Sequence, residues 1–315
     1  IDLIGIKPMQ IELQHSISDQ NIQLILSKEQ FKKFLENDPN NENISSNLLE
    51  KYIQKLEKLK LLPLYNNNLK LPIIARMFGF ILADGSLVYH KRDNTFMLQA
   101  DFGDLYGAEL FELDVQELGF LSVKIREGTR TFKGHSYHTF TVAHQNILAS
   151  LFKTLGMISG KKTIQPSNDV PDWIKFGSDL VKREFLSGIQ GGDGCQIRFN
   201  KMNKRGYNYI CAPLQMSKNF EYKDSLVKMM TSISELFNYF DIKNKVFCRI
   251  DKREDDRYNI GVELSNSQDN LINYFDKIGY RYDIRKITKS AIIIEYLKYK
   301  KIIIEDYHQQ INNVR

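Results

Sequence analysis

MFGFILADG (residues 77–85) and LSGIQGGDG (residues 186–194) carry the same pattern twice: small residues four apart in an apolar run, closed by Asp-Gly. The spacing predicts a helix over each. Gly79 and Ala83 in the first, and Gly188 and Gly192 in the second, then share one helical face, along which two backbones can approach with no side chain between them. Helices paired in this way bring Asp84 and Asp193 together at their C-terminal ends. There the unpaired carbonyls and the negative end of each helix dipole add to the carboxylates. Two carboxylates held so close repel unless a cation lies between them. An all-oxygen site with room for water suits Mg²⁺, with Mn²⁺ as a substitute. One isolated Asp-Gly is an ordinary helix-ending turn, whereas two at equivalent places in a repeat point to chemistry.

The equivalence extends outward from the two stretches. After the helix predicted over residues 72–84 come strand candidates SLVYHKR and TFMLQADF, a helix in LYGAELFELDVQELG, strands LSVKIRE and SYHTFTVA, and a helix NILASLFKTLG. The second series runs LVKREFLSGIQGGD, CQIRFN, YNYICAPLQMS, DSLVKMMTSISELF, KVFCRID, YNIGVEL and NLINYFDKIG. Each half reads αββαββα, an α+β fold in tandem duplicate, over residues 71–176 and 177–315. MLQADF matches PLQMSK, and QNILASLFKTLG matches DNLINYFDKIG, at corresponding places. A long helix over about residues 286–310 closes the chain. Residues 1–70 form a partly helical N-terminal extension whose run LLEKYIQKLEKLKLL reads as a packing element in preference to a DNA contact.

Strand alternation separates a core face from a free one. Phe96, Leu98, Ala100 and Phe102 oppose Gln99 and Asp101, while Ile210, Ala212, Leu214 and Met216 oppose Tyr209 and Gln215. Lys124 and Arg126 oppose Val123 and Ile125, Arg198 opposes Ile197 and Phe199, and Arg249 opposes Cys248 and Ile250. Any half-buried antiparallel sheet shows such a pattern. Two similar sheets side by side, however, make one long surface able to enter a DNA groove and read base edges. The composition permits a polyanionic partner, with 44 Lys and Arg against 38 Asp and Glu. Three cysteines without CxxC spacing favour neither a disulfide framework nor a zinc site. The absence of a long apolar run or a signal-like start leads to the expectation of a soluble intracellular protein with no membrane partner.

With these motifs in place, the chain resembles the two-motif, monomeric LAGLIDADG homing endonucleases from about residue 72 to its end. VPDWI (170–174) is similar to the intein-type members. The resemblance implies a pseudo-twofold monomer whose two saddle-shaped antiparallel sheets lie on a long asymmetric site in double-stranded DNA. It also implies metal-dependent cleavage of both strands to leave short 3′ overhangs. By the same resemblance Asp84 and Asp193 bind metal with the carbonyls of Ala83 and Gly192. Lys162 and Lys286 serve the scissile phosphates, with Lys161 a close competitor of Lys162, and Gln99 and Gln215 orient water. The sixth motif position, often acidic in the family, is Leu82 in one half and Gly191 in the other.

Lys124, Arg126, Arg130, Lys133, Arg198, Lys201, Lys204, Arg205, Arg249, Lys252, Arg253 and Arg257 are the DNA-contact candidates. Some of these meet phosphate alone and set affinity without sequence preference. His135 and His138 lack ligand spacing and read as sheet or surface residues. Two alternatives use the same fold: an RNA-binding maturase with intron RNA as partner, and a DNA-binding regulator without catalysis.

Overall fold

The computed structural model describes residues 22–39, 44–90, 95–132, 134–200, 209–211, 213–251 and 257–314. The N-terminal part pairs β1 (Leu24–Leu26) antiparallel to β2 (Leu64–Tyr65) around two helices, α1 (Lys28–Glu36) and α2 (Ser46–Lys58). Ser27 and Ser45 cap these helices, accepting from the amides of Gln30 and Leu48. Their apolar stripes (Phe31, Leu35, Leu49, Ile53, Leu56) are buried in the same core as the rest of the chain. The described part of the extension is a layer packed on the first half.

The first half then runs α3 (Leu71–Asp84), β3 (Gly85–His90), β4 (Thr95–Phe102), α4 (Leu105–Glu117), β5 (Ile125–Phe132), β6 (His135–Gln145) and α5 (Ile147–Thr154). Its four strands form one antiparallel sheet in the order β3-β4-β6-β5. Phe96, Leu98, Ala100 and Phe102 are buried on its helix side, as the alternation requires. β5 begins at Ile125, not within LSV, because the ladder to β6 starts at the Ile125–Val142 pair. Lys124 consequently sits just outside the strand.

A short connection carries a 3₁₀ turn (Lys162–Ile164) and α6 (Asp172–Lys175) into the second half. There follow α7 (Asp179–Gly192), β7 (Ile197–Phe199), β8 (Tyr209–Cys211), β9 (Leu214–Asn219), α8 (Lys223–Tyr239), β10 (Asn244–Ile250), β11 (Arg257–Leu264), α9 (Gln268–Lys277) and α10 (Ile284–Val314). The αββαββα order recurs with one correction. The strand read continuously through YNYICAPLQMS is two strands: β8 pairs with β7, and β9 joins the three-stranded sheet β10-β11-β9. Pro213 lies between them and brings no N–H to a ladder. The break shifts the face. Cys211, not Ile210, is buried in β8, and Met216 is only partly covered, while Leu214 stays fully buried; Ala212 lies outside the described residues.

A second correction concerns β10. Cys248 and Ile250, which alternation places on the core face, are exposed, since β10 is an edge strand whose outer end lies open. Phe199, too, is exposed, packing edge-on against Tyr209. Among the described residues no helix is long and apolar enough to cross a membrane.

Candidate active site

Pro72 starts α3, and the Ser178 hydroxyl caps α7 by accepting from the Val181 amide. The two helices then pack backbone against backbone. A Cβ on Gly79 would stand 2.8 Å from the Ile189 nitrogen. One on Gly188 would stand 2.8 Å from the Arg76 carbonyl carbon and nearer still to its oxygen, and one on Gly192 would meet the Ala83 Cβ at 2.5 Å. Real Cβ contacts do not come so close, so these glycines are what allow the approach. The same Gly192 Cβ position lies 3.4 Å from the Asp84 Cβ, which places the two helix ends side by side.

A lysine of the same half reaches back to each end. Lys162 Nζ donates to the carbonyls of Ile81 (2.7 Å), Leu82 (2.8 Å), Ala83 (3.1 Å) and Gly85 (2.7 Å). Lys286 Nζ donates to those of Gln190 (3.4 Å), Gly191 (2.6 Å) and Gly192 (2.7 Å). Apart from Ile81, which also accepts from the Gly85 amide, these are carbonyls at or just past a helix terminus, and a cation is the natural cap for them. Lys161, the competitor in sequence, is exposed.

The carboxylates stand in the field of both lysines. Loss of solvent pushes Asp193 up to about 7, Asp84 adds to the shift, and Lys162 and Lys286 counter it. Asp84 is open at its tip, but the protein around it displaces enough water to raise its pKa; Lys286 and Lys162 oppose this, and Asp283 and Asp101 add to it. Burial lowers Lys162 to about 8, against the pull of Asp193 and Asp84. Lys286 is lowered by burial too, with Asp283, Asp84 and Asp193 opposing. Two carboxylates whose charged forms are both disfavoured by burial, one of them further by its neighbour, are a site for added positive charge.

The donor set fits a hard divalent cation: two carboxylates and two carbonyls, Ala83 and Gly192, each with a lone pair beyond the one its lysine occupies. Among the described residues no group of three His, Cys, Asp or Glu side chains is placed to hold a metal. Any cation here would thus complete its shell with water or a phosphate. A cavity of about 300 Å³ opens beside Asp193 and Lys162, and Gln215, Ser217, Lys218 and Asn259 also line it. Thr163 Oγ1 on its wall is buried without a partner among the described residues.

The other candidates are distributed as follows. Gln215 is exposed on the cavity wall beside Asp193, whereas Gln99 donates to both Asp101 oxygens at 3.1 Å. Asp101 also accepts from Thr141 (2.6 Å) and from Arg130 (2.8 Å), so Arg130 is tied into the first sheet. Lys124, Arg126 and Arg198 are exposed, and Arg249, exposed as well, lies over the Phe247 ring at 4.5 Å and 3.7 Å from Glu263. Arg257 is half-buried at the start of β11. Lys133, Lys201, Lys204, Arg205, Lys252 and Arg253 lie outside the described residues. His138 is exposed near Glu127 at 3.5 Å, and all three cysteines are free thiols.

Sequence reasoning missed two features. One is a charge network that locks the helices together. Arg76 on α3 pairs with Asp114 on α4 and lies 3.5 Å from Glu184 on α7; Arg281 donates to Glu184 at 2.6 and 2.9 Å, and the Tyr282 hydroxyl donates to Asp114. Burial alone would raise Glu184, but Arg281 and Arg76 hold it below the ordinary carboxylate range. The Arg within LPIIARMFG, at a position otherwise apolar, was the available signal. The other is Lys218, almost fully buried at 2% exposure.

No family model matches the chain. Curated relatives include the RNA polymerase subunit Rpo1N of Methanocaldococcus jannaschii, 28% identical over 295 residues, covering 90% of this chain and 21% of that protein. The replication factor C small subunit of the same organism is 27% identical over 267 residues, covering 81% and 14%. The tRNA-splicing ligase RtcB of Pyrococcus furiosus is 27% identical over 259 residues, covering 80% and 25%. The chain thus spans a quarter or less of the length of each of these relatives. Solved structures that resemble it include the homing endonuclease I-WcaI bound to its DNA recognition sequence, with a TM-score of 0.43, 16% identity and coverage of 79% of this chain and 92% of that one. I-DmoI in complex with DNA and Ca gives 0.42, 15%, 71% and 98%. The N-terminal LAGLIDADG domain of WhiA gives 0.38, 13%, 84% and 95%. At these scores the likenesses carry no argument about the site, which rests on its own geometry.

Proposed function

We propose that the chain is a sequence-specific endonuclease that uses a divalent metal, Mg²⁺ or Mn²⁺, to hydrolyse both strands of double-stranded DNA at a long asymmetric site, acting as a monomer. The observation that carries this reading is the convergence of Asp84 and Asp193 at two helix ends whose backbones touch, each capped by its own lysine. A cation held there by both carboxylates and the Ala83 and Gly192 carbonyls would lower the pKa of water and offset phosphate charge. The chain's own groups do the rest. Lys162 and Lys286 present positive charge beside the carboxylates, burial lowers the pKa of both, and Lys162, drawn down to about 8, can exchange a proton near neutral pH. Gln215 stands where it can orient a water. Arg126, Arg198 and Arg249 are exposed on the strands and offer phosphate and base-edge contacts.

The relatives support a self-contained unit. Three proteins with different names share this stretch, each over a small part of its length, as expected of a segment carried within otherwise different chains. The test is to incubate the purified protein with a duplex library that includes its own insertion locus, with Mg²⁺ or Mn²⁺ or with chelator, and to sequence the new ends. One dominant site cut on both strands, with metal only, is the expected result. No cleavage under any condition would overturn the reading, and retention of intron RNA in the same mixtures would turn it toward a maturase.

A further inference from the structure

The two lysines at the helix ends are not held alike. Lys286 sits in the first turn of α10, where its amide donates to Asp283 Oδ1 at 3.0 Å, and its own helix fixes its backbone. Lys162 has no such support. It lies in a three-residue 3₁₀ turn without a side-chain cap, whose closing bond from the Ile164 amide to the Lys161 carbonyl is long at 3.4 Å. What holds this turn comes partly from itself and partly from the other half. The Gln165 side chain donates to the carbonyls of Ser159 (2.8 Å) and Lys161 (3.2 Å). Lys218, on β9 of the second sheet, donates to the carbonyls of Lys162 and of Gln165, the latter at 2.9 Å.

Lys218 is a costly residue to place there. Its ammonium is buried, and burial draws its pKa down to about 8. A buried cation bonded to backbone carbonyls, where an apolar side chain would pack at less cost, points to a role other than stability. The first half makes that apolar choice. With Gln99 matched to Gln215, the residue matched to Lys218 is Phe102, buried and stacked on Phe80 at 4.8 Å.

We infer that Lys218 is a positioning residue of the second half that holds Lys162 against the end of α3, so that the strand served by Lys162 depends on this buried lysine and the strand served by Lys286, whose segment is anchored to the first half through Tyr282 instead, does not. This rests on the endonuclease reading above. A brace of this kind acts through geometry, and misplacing a catalytic group by a fraction of an ångström costs rate without costing affinity.

The test follows strand-specific cleavage of the target duplex labelled on both strands. Lys162→Met and Lys286→Met first identify which strand each end serves. Lys218→Met should slow the Lys162-dependent strand by about tenfold, leave the other within about twofold, and accumulate nicked duplex at unchanged DNA affinity. On a Lys162→Met background the same change should add less than about twofold, because the group it positions is gone. Lys218→Gln, which retains one donor group, should fall between; if the Met variant does not fold, the strand ratio is read from the Gln variant. Equal slowing of both strands, slowing of the Lys286-dependent strand, or wild-type rates on both would overturn the inference. A wild-type protein that cuts neither strand would instead overturn the endonuclease reading.

Discussion

At the end of α3, Asp84 is open to solvent and Lys162 reaches the terminal carbonyls from a three-residue turn. At the end of α7, Asp193 is half-buried and Lys286 reaches the terminal carbonyls from the first turn of a 31-residue helix. The charges match and the supports do not. The sheets differ in the same sense, four continuous strands in the first half against a second sheet whose matching strand breaks at Pro213. The two helix ends therefore carry the same charged groups in surroundings that differ. Equivalence is a property of the helix ends, and it should fail in measurable ways once the supports are tested.

The largest effect should come from the groups that are equivalent. Asp84→Asn and Asp193→Asn should each reduce double-strand cleavage by on the order of 10³-fold while leaving specific binding intact, as measured by gel shift. A variant that cuts both strands at the normal rate would remove that aspartate from the site. The lysines come next, at about 10²-fold on one strand each, read as nicked product; a Lys286→Met protein that nicks the same strand as Lys162→Met would break the pairing of each lysine with its own end. Third, Gly188→Ala forces a methyl group onto the Arg76 carbonyl. It should cost about 2 kcal/mol and lower the melting temperature by several degrees.

The smallest effect is the pH dependence of the metal-free protein. Asp193 titrates near 7 when folded, above the ordinary carboxylate range of the unfolded chain. The stability linked to it is thus complete in acid and is lost as pH rises through about 7. Asp193→Asn removes this loss. The variant should gain on the wild type between pH 5 and pH 8 by about 3 °C in thermal melts, and added Mg²⁺ should narrow the gap by stabilising the wild type alone. A gap that does not change with pH would show that burial beside Asp84 does not raise Asp193.

What was legible in sequence was what local spacing determines. Small residues four apart fix a helix face, and Asp84 and Asp193 fall at the ends of those helices. Lys162 and Lys286 stand at nearly matching distances after a repeated helix, although only the fold separates Lys162, on the carbonyls, from Lys161, in solvent. What was not legible depends on partners distant in sequence. Lys218 shares a strand face with Leu214 and Met216, but nothing local says what its charge would meet there, because the loop carbonyls that accept from it lie more than fifty residues upstream. Glu184 reads as an exposed helix position for the same reason, until Arg76 and Arg281 close over it. The exposed ends of β10 and β7 escaped notice because alternation marks two faces but not where the covering helix stops.

The glycine seam between α3 and α7 has a consequence for the substrate. A contact made of backbone has no side-chain rotamers to reshuffle and so no second position in which to rest. In an endonuclease it would act as a fixed gauge, holding the two scissile phosphates at one separation whatever the bases between them. Such an enzyme can drift in which letters it accepts along each arm of its site, yet a single base pair inserted at the centre puts the second phosphate out of reach.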